Sequence, residues 1–377
     1  MGKMRITHIV PRYCPYVGGV EVLVKELCYR LATKGFEVSV FTTDREGLPR
    51  QEWMNGVLIK RYMAVFSDPL YVPSPFFLKD LRKSKTDILH VHNVHTLLPA
   101  FVALAKMRSQ KLVLQPHYHR RGQNVARNIL FSIYKYFLKK YVLRYFDLVI
   151  VNSEYEELIF RKDFPNFPSK VVLVPEEYSI MVPSQMKWNP TLRPKKILYV
   201  GALRRYKNID ILIRAFKVLN LREKDLELTI IGDGPDKKRL LRLSLELEVY
   251  DRIVWKRDLP YDRLLHEYSR ASAVVLLSRL ESFSRVAREA LSIGVPLVVY
   301  NFGVLRTLVR RGLAKGVDSL SPLDVANALD DVLSMGWASA SLKMSSGRKL
   351  YADFIIKVYE GCRLSAMQRC EGLDQEK

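Results

Sequence analysis

Short apolar runs alternate with longer amphipathic stretches along the first half of the chain. Six runs have the length of a buried strand, at 6–10, 38–42, 57–61, 87–92, 111–115 and 147–152. Three stretches between them carry apolar residues at helical spacing, at 20–34, 97–107 and 124–146. Alternation of strand and helix predicts a parallel sheet with helices on both faces.

The second half repeats this pattern. Strands are predicted at 196–200, 226–231, 252–255, 273–277, 295–300 and 316–317. Helices are predicted near 208–219, 235–248, 261–270 and 283–293. The sequence therefore predicts an α/β protein with two tandem Rossmann-like, doubly wound parallel-sheet domains.

A proline-rich segment separates the two series. Residues 175–194 contain four prolines and fit neither helix nor strand, which indicates a linker. We expect a first domain over 1–174, a second over 195–350 and a final helical segment over 351–377. The 377 residues suit two cores. Parallel sheets bind ligands at the carboxyl ends of their strands, so a substrate cleft is expected where the domains face each other.

The segment 279–303 carries the densest set of candidate functional residues. Glu281 lies in a predicted loop and Glu289 in the helix that follows, while Gly294 and Pro296 end that helix. Ser282 is predicted to cap the amino end of the helix. A helix start offers backbone N–H groups and a partial positive charge, which suit a phosphate or diphosphate.

This segment resembles the signature of family 4 glycosyltransferases, in which two Glu separated by seven residues precede a Gly-x-Pro and a strand. The resemblance covers nearly the whole chain. It implies the two-domain fold called GT-B, with the last helix returning to the first domain. It also implies retaining transfer of a sugar from a nucleotide-activated donor.

The resemblance assigns roles to individual residues of this segment. Glu289 would hold the ribose hydroxyls and Glu281 would contact the donor hexose. Four consecutive residues would meet the diphosphate, mainly through their backbone: Ser282, Phe283, Ser284 and Arg285. The family usually has glycine where Ser284 stands. The alternative is a surface helix with solvated carboxylates, because Glu289 falls roughly 130° from the centre of the apolar stripe.

Two further loops follow predicted strands. Gly18 and Gly19 open the first helix, where the family's Gly-Gly loop faces the donor phosphates and the acceptor. In the second domain the family pattern places an Arg and a Lys on the diphosphate. Lys207 matches, but the Arg position is Ala202, so Arg204 or Arg205 is expected to substitute. Each loop has an alternative interpretation without a ligand: the Gly18–Gly19 loop as an ordinary turn, and the loop that carries Lys207 as a solvated basic turn.

Two more positions match the family pattern. Gly232 and Gly234 form a strand-end Gly-x-Gly-Pro turn near the expected nucleotide base, although a purely structural turn explains them as well. His117 follows a strand where the family commonly has a histidine close to the donor sugar, and we assign it to sugar contact rather than proton abstraction.

Neither a metal nor a cofactor is expected. His90 and His92 lie on one face of a strand, but no carboxylate or cysteine set completes a ligand shell. No Asp-x-Asp follows a hydrophobic strand, so transfer is expected to be metal-independent. The sequence also lacks the G-x-G-x-x-G and Walker motifs, which argues against nicotinamide and ATP binding.

Charge extends the set of expected partners. Sixty-one Lys and Arg against thirty-nine Asp and Glu give a net charge of +22, which favours anionic partners. Residues 134–145 interleave aromatic residues with cations, as on a helix that meets an anionic membrane surface, or as on one that packs against its sheet. The start leads directly into a strand, no apolar run reaches eighteen residues, and the four cysteines indicate reduced thiols. We expect a cytoplasmic protein, peripheral on the inner face of the cell membrane.

These observations predict a glycosyltransferase that moves a hexose from a nucleotide-sugar donor to a hydroxyl of a glycolipid, a lipid-linked precursor or another glycan. A nucleotide-sugar epimerase or hydrolase of similar fold is an alternative. A nucleic-acid-binding protein is a second alternative that rests on charge alone, because the sequence contains no recognisable reading module.

Overall fold

The computed structural model describes residues 3–334 and 351–373, with gaps at 17, 45–46, 67, 69, 108–109, 121–124, 166, 168–169, 176–181, 184, 190–194 and 224. The chain divides into two compact units, Met1–Ser179 with Lys349–Lys377, and Ile180–Arg348. Most of the predicted linker lies outside the described residues.

The first unit is built on one sheet. Its strands are β1 Arg5–Val10, β2 Glu37–Asp44, β3 Gln51–Met54, β4 Val57–Phe66, β5 Val72–Pro73, β6 Ile88–His92, β7 Lys111–Gln115, β8 Leu148–Val151 and β9 Lys170–Leu173. Their order is β3-β4-β2-β1-β6-β7-β8-β9, with β5 also paired to β4. The pairings are parallel except for β3 and β5, which run antiparallel to β4 at one edge.

Helices cover both faces of this sheet. They are α1 Gly19–Thr33, α2 Pro75–Lys83, α3 Leu98–Ala105, α4 Val125–Phe137, α5 Glu154–Asp163 and, numbered in chain order, α12 Tyr351–Leu373. Alternate residues of β6 enter different cores: Leu89 and Val91 pack with α2 and α3, whereas Ile88 packs with α1 and α12. On the latter face α12 contributes Tyr351, Ile355 and Tyr359.

The second unit has a sheet that is parallel throughout its described strands. They are β10 Lys195–Val200, β11 Leu226–Ile231, β12 Ile253–Lys256, β13 Ala273–Leu276, β14 Leu297–Tyr300 and β15 Lys315–Val317. Their order is β12-β11-β10-β13-β14-β15. The helices are α6 Ile209–Arg222, α7 Lys237–Glu246, α8 Tyr261–Arg270, α9 Arg285–Ile293, α10 Leu305–Arg310 and α11 Pro322–Ser334.

The predicted fold class is confirmed, with local differences. Every predicted strand is present, and each lies within two residues of its expected bounds except β4, which runs five residues beyond its predicted end at 61. The long helix predicted at 124–146 is instead α4 followed by a π-helical turn, Leu138–Val142, and a 3₁₀ turn, Leu143–Tyr145. The helix predicted to start at 283 begins at Arg285, because Ser284 adopts a left-handed conformation (φ 66°, ψ 76°) that a right-handed helix cannot include.

Candidate active site

Two loops meet at the carboxyl ends of β10 and β11 in the second unit. The N–H of Leu203 donates to the carbonyl of Asp233 at 2.9 Å, and the N–H of Asp236 donates to the carbonyl of Leu203 at 3.1 Å. A Cβ on Gly232 would lie 2.0 Å from the oxygen of Gly201, and one on Gly234 would lie 2.5 Å from the oxygen of Leu203. Both glycines are therefore required for the close approach of these loops.

An ion pair joins two strand-end loops of the same unit. The ammonium of Lys207, in the loop after β10, donates to Oε1 of Glu281, in the loop after β13. Both side chains are largely buried, at 17% and 16% exposure. Burial alone would lower the pKa of Lys207, but the negative charge of Glu281 raises it above its ordinary value. The lysine therefore stays protonated in the folded protein.

The amino end of α9 lies four residues beyond Glu281. Ser284 precedes this helix in the left-handed region, and its side chain makes no capping hydrogen bond. Glycine tolerates that conformation far better than serine, which gives a physical reason for the family's usual residue here. The sequence predicts that Ser282 caps this helix, but the helix begins at Arg285, two residues later than predicted, so Ser284 occupies the cap position. Phe283 is buried, with the guanidinium of Arg288 5.3 Å from its ring centroid.

Glu289 lies within α9 and is only 3% exposed. Nε of Arg285 donates to its Oε1 at 2.9 Å, and the hydroxyl of Tyr268 in α8 donates to its Oε2 at 3.0 Å. Burial raises the pKa of Glu289, while the Arg285 guanidinium opposes that shift. The alternative of a solvated carboxylate is therefore wrong, because α8 packs over this side of α9.

The other predicted cations lie close in sequence to Lys207. Arg205 is 75% exposed, and its Nε lies 3.4 Å from Oδ1 of Asp236. Arg204 is half-buried in the same loop. Four of the predicted site residues thus lie in the loops that follow β10 and β13, namely Lys207, Glu281, Arg204 and Arg205.

The remaining predicted residues belong to the first unit. Gly18 precedes α1 in an extended conformation, and a Cβ there would meet the carboxylate of Glu21 at 2.3 Å. Gly19 begins α1, and nothing lies within 4 Å of a Cβ built on it. Arg12 pairs with Glu21 at 2.8 Å.

His117 lies just beyond β7, with a positive φ of 47° and a buried ring. Its Nδ1 is 3.1 Å from Nδ2 of Asn152, and its Nε2 is 3.5 Å from Nδ1 of His92. Burial lowers the pKa of His117 to about 3, so the ring is neutral at physiological pH.

Sequence reasoning missed the side chain that supports this turn. The carboxylate of Glu156 in α5 accepts the N–H of Tyr118 at 2.5 Å and the N–H of Asn152 at 2.8 Å. Burial raises the pKa of Glu156 to about 7. A sequence signal existed, since Ser153 and Glu156 have the Ser-x-x-Glu spacing of a helix start, and Ser153 does accept the N–H of Glu156 at 3.1 Å.

Three further histidines form a buried group on the face of the first sheet covered by α12. The potential ligand atoms of His8, His90 and His92 lie within 4.8 Å of one another. However, Nδ1 of His8 and Nε2 of His92 are 3.0 Å apart, a hydrogen-bonding distance, and Nδ1 of His90 is 2.6 Å from the hydroxyl of Tyr359. The rings of His90 and His92 face each other with centroids 4.2 Å apart and a tilt of 31°. This geometry favours hydrogen bonding and stacking over ligation, in which ring edges converge on one point.

Helix α4 and the turns that follow it expose a basic and aromatic surface, which we call the α4 surface. Its large exposed side chains are Ile129, Leu130, Ile133, Tyr136, Phe137, Tyr141 and Tyr145. The ammonium of Lys140 lies 5.1 Å from the ring centroid of Tyr141, and the guanidinium of Arg144 lies 5.0 Å from that of Tyr145. A cavity of about 400 Å³ opens among Tyr136, Lys139, Lys140, Leu143, Arg144, Phe164 and Phe167. Within the described part of the chain, every helix is too short or too polar to cross a bilayer.

The fold is that of the GT-B class of glycosyltransferases. Sucrose-phosphate synthase from Thermosynechococcus elongatus superimposes with a TM-score of 0.70 at 19% identity, over the full length of both chains. Residues 17–176 match the model of Glycosyltransferase Family 4, and residues 184–346 match that of Glycosyl transferases group 1. The chain belongs to the family 4 glycosyltransferases.

Two relatives align along most of the chain. An uncharacterised glycosyltransferase of Methanocaldococcus jannaschii is 26% identical over 92% of this chain and 93% of its own. A D-inositol 3-phosphate glycosyltransferase of Acidothermus cellulolyticus is 26% identical over 86% of this chain and 80% of its own.

Proposed function

We propose that this glycosyltransferase moves a hexose from a nucleotide-sugar donor to a hydroxyl of a glycan or lipid-linked acceptor, with retention and without a metal ion. The observation that carries this proposal is the buried ion pair of Lys207 and Glu281. Glu281 lies four residues before α9, and the second turn of that helix carries the buried carboxylate of Glu289.

The diphosphate is proposed to bind at the amino end of α9. The first N–H groups of a helix have no partner within it, so they are suited to donate to phosphate oxygens. Lys207 and either Arg204 or Arg205 would neutralise charge that develops on the leaving diphosphate. Preorganised cations and N–H groups can supply much of the stabilisation that a metal ion supplies elsewhere.

The carboxylates and His117 are proposed to recognise hydroxyl groups. Glu289 is held in place by hydrogen bonds from Arg285, Tyr268 and Tyr261, and these three bonds leave one of the four lone-pair sites of the carboxylate to accept a ribose hydroxyl. Glu281 and His117 would contact the hexose. We assign no nucleophilic carboxylate, and propose that the leaving diphosphate accepts the proton of the acceptor hydroxyl on the same face of the sugar.

A ligand screen followed by two variants tests the donor site. A nucleotide sugar that binds the folded state should raise the melting temperature, so UDP, GDP and ADP sugars are screened first. With the best donor, Glu289→Ala should weaken nucleotide binding about tenfold or more, through loss of a charged hydrogen-bond acceptor. Lys207→Ala should mainly lower kcat. Glu246→Ala changes an exposed glutamate of α7 and serves as the matched control.

Product analysis separates the alternatives. Sugar transfer should require an acceptor, whereas release or epimerisation of the sugar at an equal rate without acceptor would contradict the proposal. Unchanged kinetics in both the Glu289 and Lys207 variants would refute the assigned site.

We further propose that the α4 surface contacts an anionic membrane from the cytoplasmic side. The support is charge complementarity, since Lys139, Lys140 and Arg144 have no carboxylate partner among the described residues and lie beside exposed aromatic rings. Cations near an anionic bilayer contribute about 1 kcal/mol each. Free thiols at Cys14 and Cys28 fit a reducing compartment.

Vesicle binding tests this contact. The protein should bind vesicles that contain phosphatidylglycerol more tightly than neutral phosphatidylcholine vesicles. Reversing charge at Lys139 and Lys140 to Glu should weaken binding at least tenfold, while the same change at Lys238 and Arg242, both exposed on α7, should have a smaller effect. Equal binding to both kinds of vesicle would contradict the proposal.

A further inference from the structure

Three buried polar side chains meet on one face of the first sheet, beside His117. Gln115 ends β7, Asn152 directly follows β8, and Tyr351 begins α12. Gln115 is fully buried, and Asn152 and Tyr351 are nearly so. The NH₂ group of a buried amide donates and its oxygen accepts, so the orientation of each amide constrains its neighbours. Oε1 of Gln115 has no hydrogen-bond partner among the described residues, so the contacts of this group run through Nε2 of Gln115.

The hydrogen bonds around Asn152 define which end of its amide faces His117. Nε2 of Gln115 donates to Oδ1 of Asn152 at 2.6 Å, and the hydroxyl of Tyr351 donates to the same oxygen at 3.3 Å. Nε2 of Gln115 also lies 2.6 Å from the hydroxyl of Tyr351. Because these contacts occupy the Asn152 oxygen, its NH₂ group is the end that lies 3.1 Å from Nδ1 of His117.

The protonation pattern of the His117 ring follows from this contact. An NH₂ group can only donate, so Nδ1 of His117 must accept and carries no proton. Burial keeps the ring neutral by lowering its pKa to about 3, so the single proton lies on Nε2. The Nε2–H then points toward Nδ1 of His92 at 3.5 Å, and Nε2 of His92 donates to Nδ1 of His8 at 3.0 Å.

We infer that Gln115, Asn152 and Tyr351 are positioning residues that fix His117 as its Nε2–H tautomer, so that His117 acts in transfer as a hydrogen-bond donor to a sugar oxygen and not as a base. The inference about the sugar rests on the proposed function, whereas the tautomer does not. At 3.5 Å the contact with His92 is the longest of the hydrogen bonds between these side chains, so the Nε2–H of His117 is the donor least engaged within the protein and can be shared with a ligand oxygen while the ring stays in place.

The tautomer can be measured directly in the free protein. With ¹⁵N-labelled histidine, long-range ¹H–¹⁵N correlation spectra distinguish a protonated from an unprotonated ring nitrogen. We expect His117 to show an unprotonated Nδ1 and a protonated Nε2. A protonated Nδ1 in the unchanged protein would overturn the inference.

Two variants test the cause. Asn152→Asp replaces the NH₂ group with an acceptor, so His117 should switch to the Nδ1–H tautomer. Gln115→Glu removes the donor to the Asn152 oxygen, which should rotate that amide and cause the same switch. Tyr359→Phe is the matched control. It removes a buried hydroxyl from α12, the helix that also carries Tyr351, but this hydroxyl contacts His90 and not His117. An unchanged His117 tautomer in both acidic variants would overturn the inference.

Kinetics then separate this inference from the proposed function. Once a donor is identified, loss of the Nε2–H donor should lower kcat/KM for that donor about tenfold in Asn152→Asp, the value of one hydrogen bond. Tyr359→Phe should leave it within twofold. A switched tautomer with unchanged kcat/KM would support the positioning role and refute the sugar contact of His117.

Discussion

The ion pair of Lys207 and Glu281 permits a test that separates stability from turnover. Lys207→Met leaves the Glu281 carboxylate without its partner, and Glu281→Gln does the same to the Lys207 ammonium. Because both side chains are largely buried, each single change should cost about 3 to 5 kcal/mol of unfolding free energy. The double variant replaces two buried charges with two neutral groups of similar size. Its cost should be at most about 2 kcal/mol, so the coupling energy, which is the sum of the two single costs minus the cost of the double variant, should be at least about 4 kcal/mol.

The assay is hydrogen exchange of the peptides that contain β10 and α9, which reports the opening free energy of the second unit. The control cycle uses Lys217 and Glu248, whose ammonium and carboxylate are 3.6 Å apart but whose glutamate is 86% exposed. Coupling there should stay below about 1 kcal/mol. A coupling energy for Lys207 and Glu281 no larger than that of this surface pair would refute the reasoning.

Turnover provides the functional half of the same test. All three variants lack part of the charge pattern proposed to act on the diphosphate and the hexose, so all three should lose transfer. The double variant is decisive, because its stability should be nearly restored. Wild-type kcat in a stable double variant would show that the pair has only a structural role.

Other predictions concern backbone strain and acidity. Gly232→Ala should lower the free energy of unfolding by more than about 3 kcal/mol, because the new Cβ would overlap the Gly201 carbonyl. Gly312→Ala should lower it by about 1 kcal/mol, because Gly312 has a φ of 66° but open space around it. Equal midpoints of urea unfolding for the two variants would contradict this reasoning. Ser284→Gly should leave the protein equally stable or up to about 1 kcal/mol more stable, and Ser284→Val should destabilise it by about 1 to 2 kcal/mol, as measured by thermal unfolding. Burial lowers the pKa of His8 and His117 to about 3 and lowers that of His90, His92 and His95 well below its ordinary value, whereas it raises the pKa of Glu156 to about 7. Because the five histidines outnumber this one glutamate, the folded first unit binds fewer protons than the unfolded chain below pH 6.5, and its stability falls as pH falls from 6.5 to 5. Hydrogen exchange between pH 6.5 and 5 should show this loss in the first unit, to which all of these side chains belong.

Part of the architecture was missed by sequence analysis for identifiable reasons. Strands β3 and β5 lie at a sheet edge and have only four and two residues, so neither forms an apolar run long enough to predict a strand. Helix α5 has a recognisable start at Ser153, but its mean composition is polar. Helix α2 begins with Pro75 at its first position. Proline is common at that position, but it is also common in turns, so Pro75 alone does not predict a helix.

The sequence by itself determined the two αβ series, the fold class and the loops that carry the candidate site. These features depend on local patterns, namely the period of apolar residues and the glycines and prolines that end elements. For the same reason the bounds of β7, β11 and α8 match the predicted ones.

Only the tertiary structure decided which side chains are partners. Lys207 and Glu281 are 74 positions apart, and Gln115 and Tyr351 are 236 apart. Glu289 is buried because Tyr268 and the rest of α8 pack over it, although its position on the helix suggested exposure. Strand order and layer packing bring such residues together, and the hydrogen bonds and ion pairs that result have no counterpart in the local pattern of the chain.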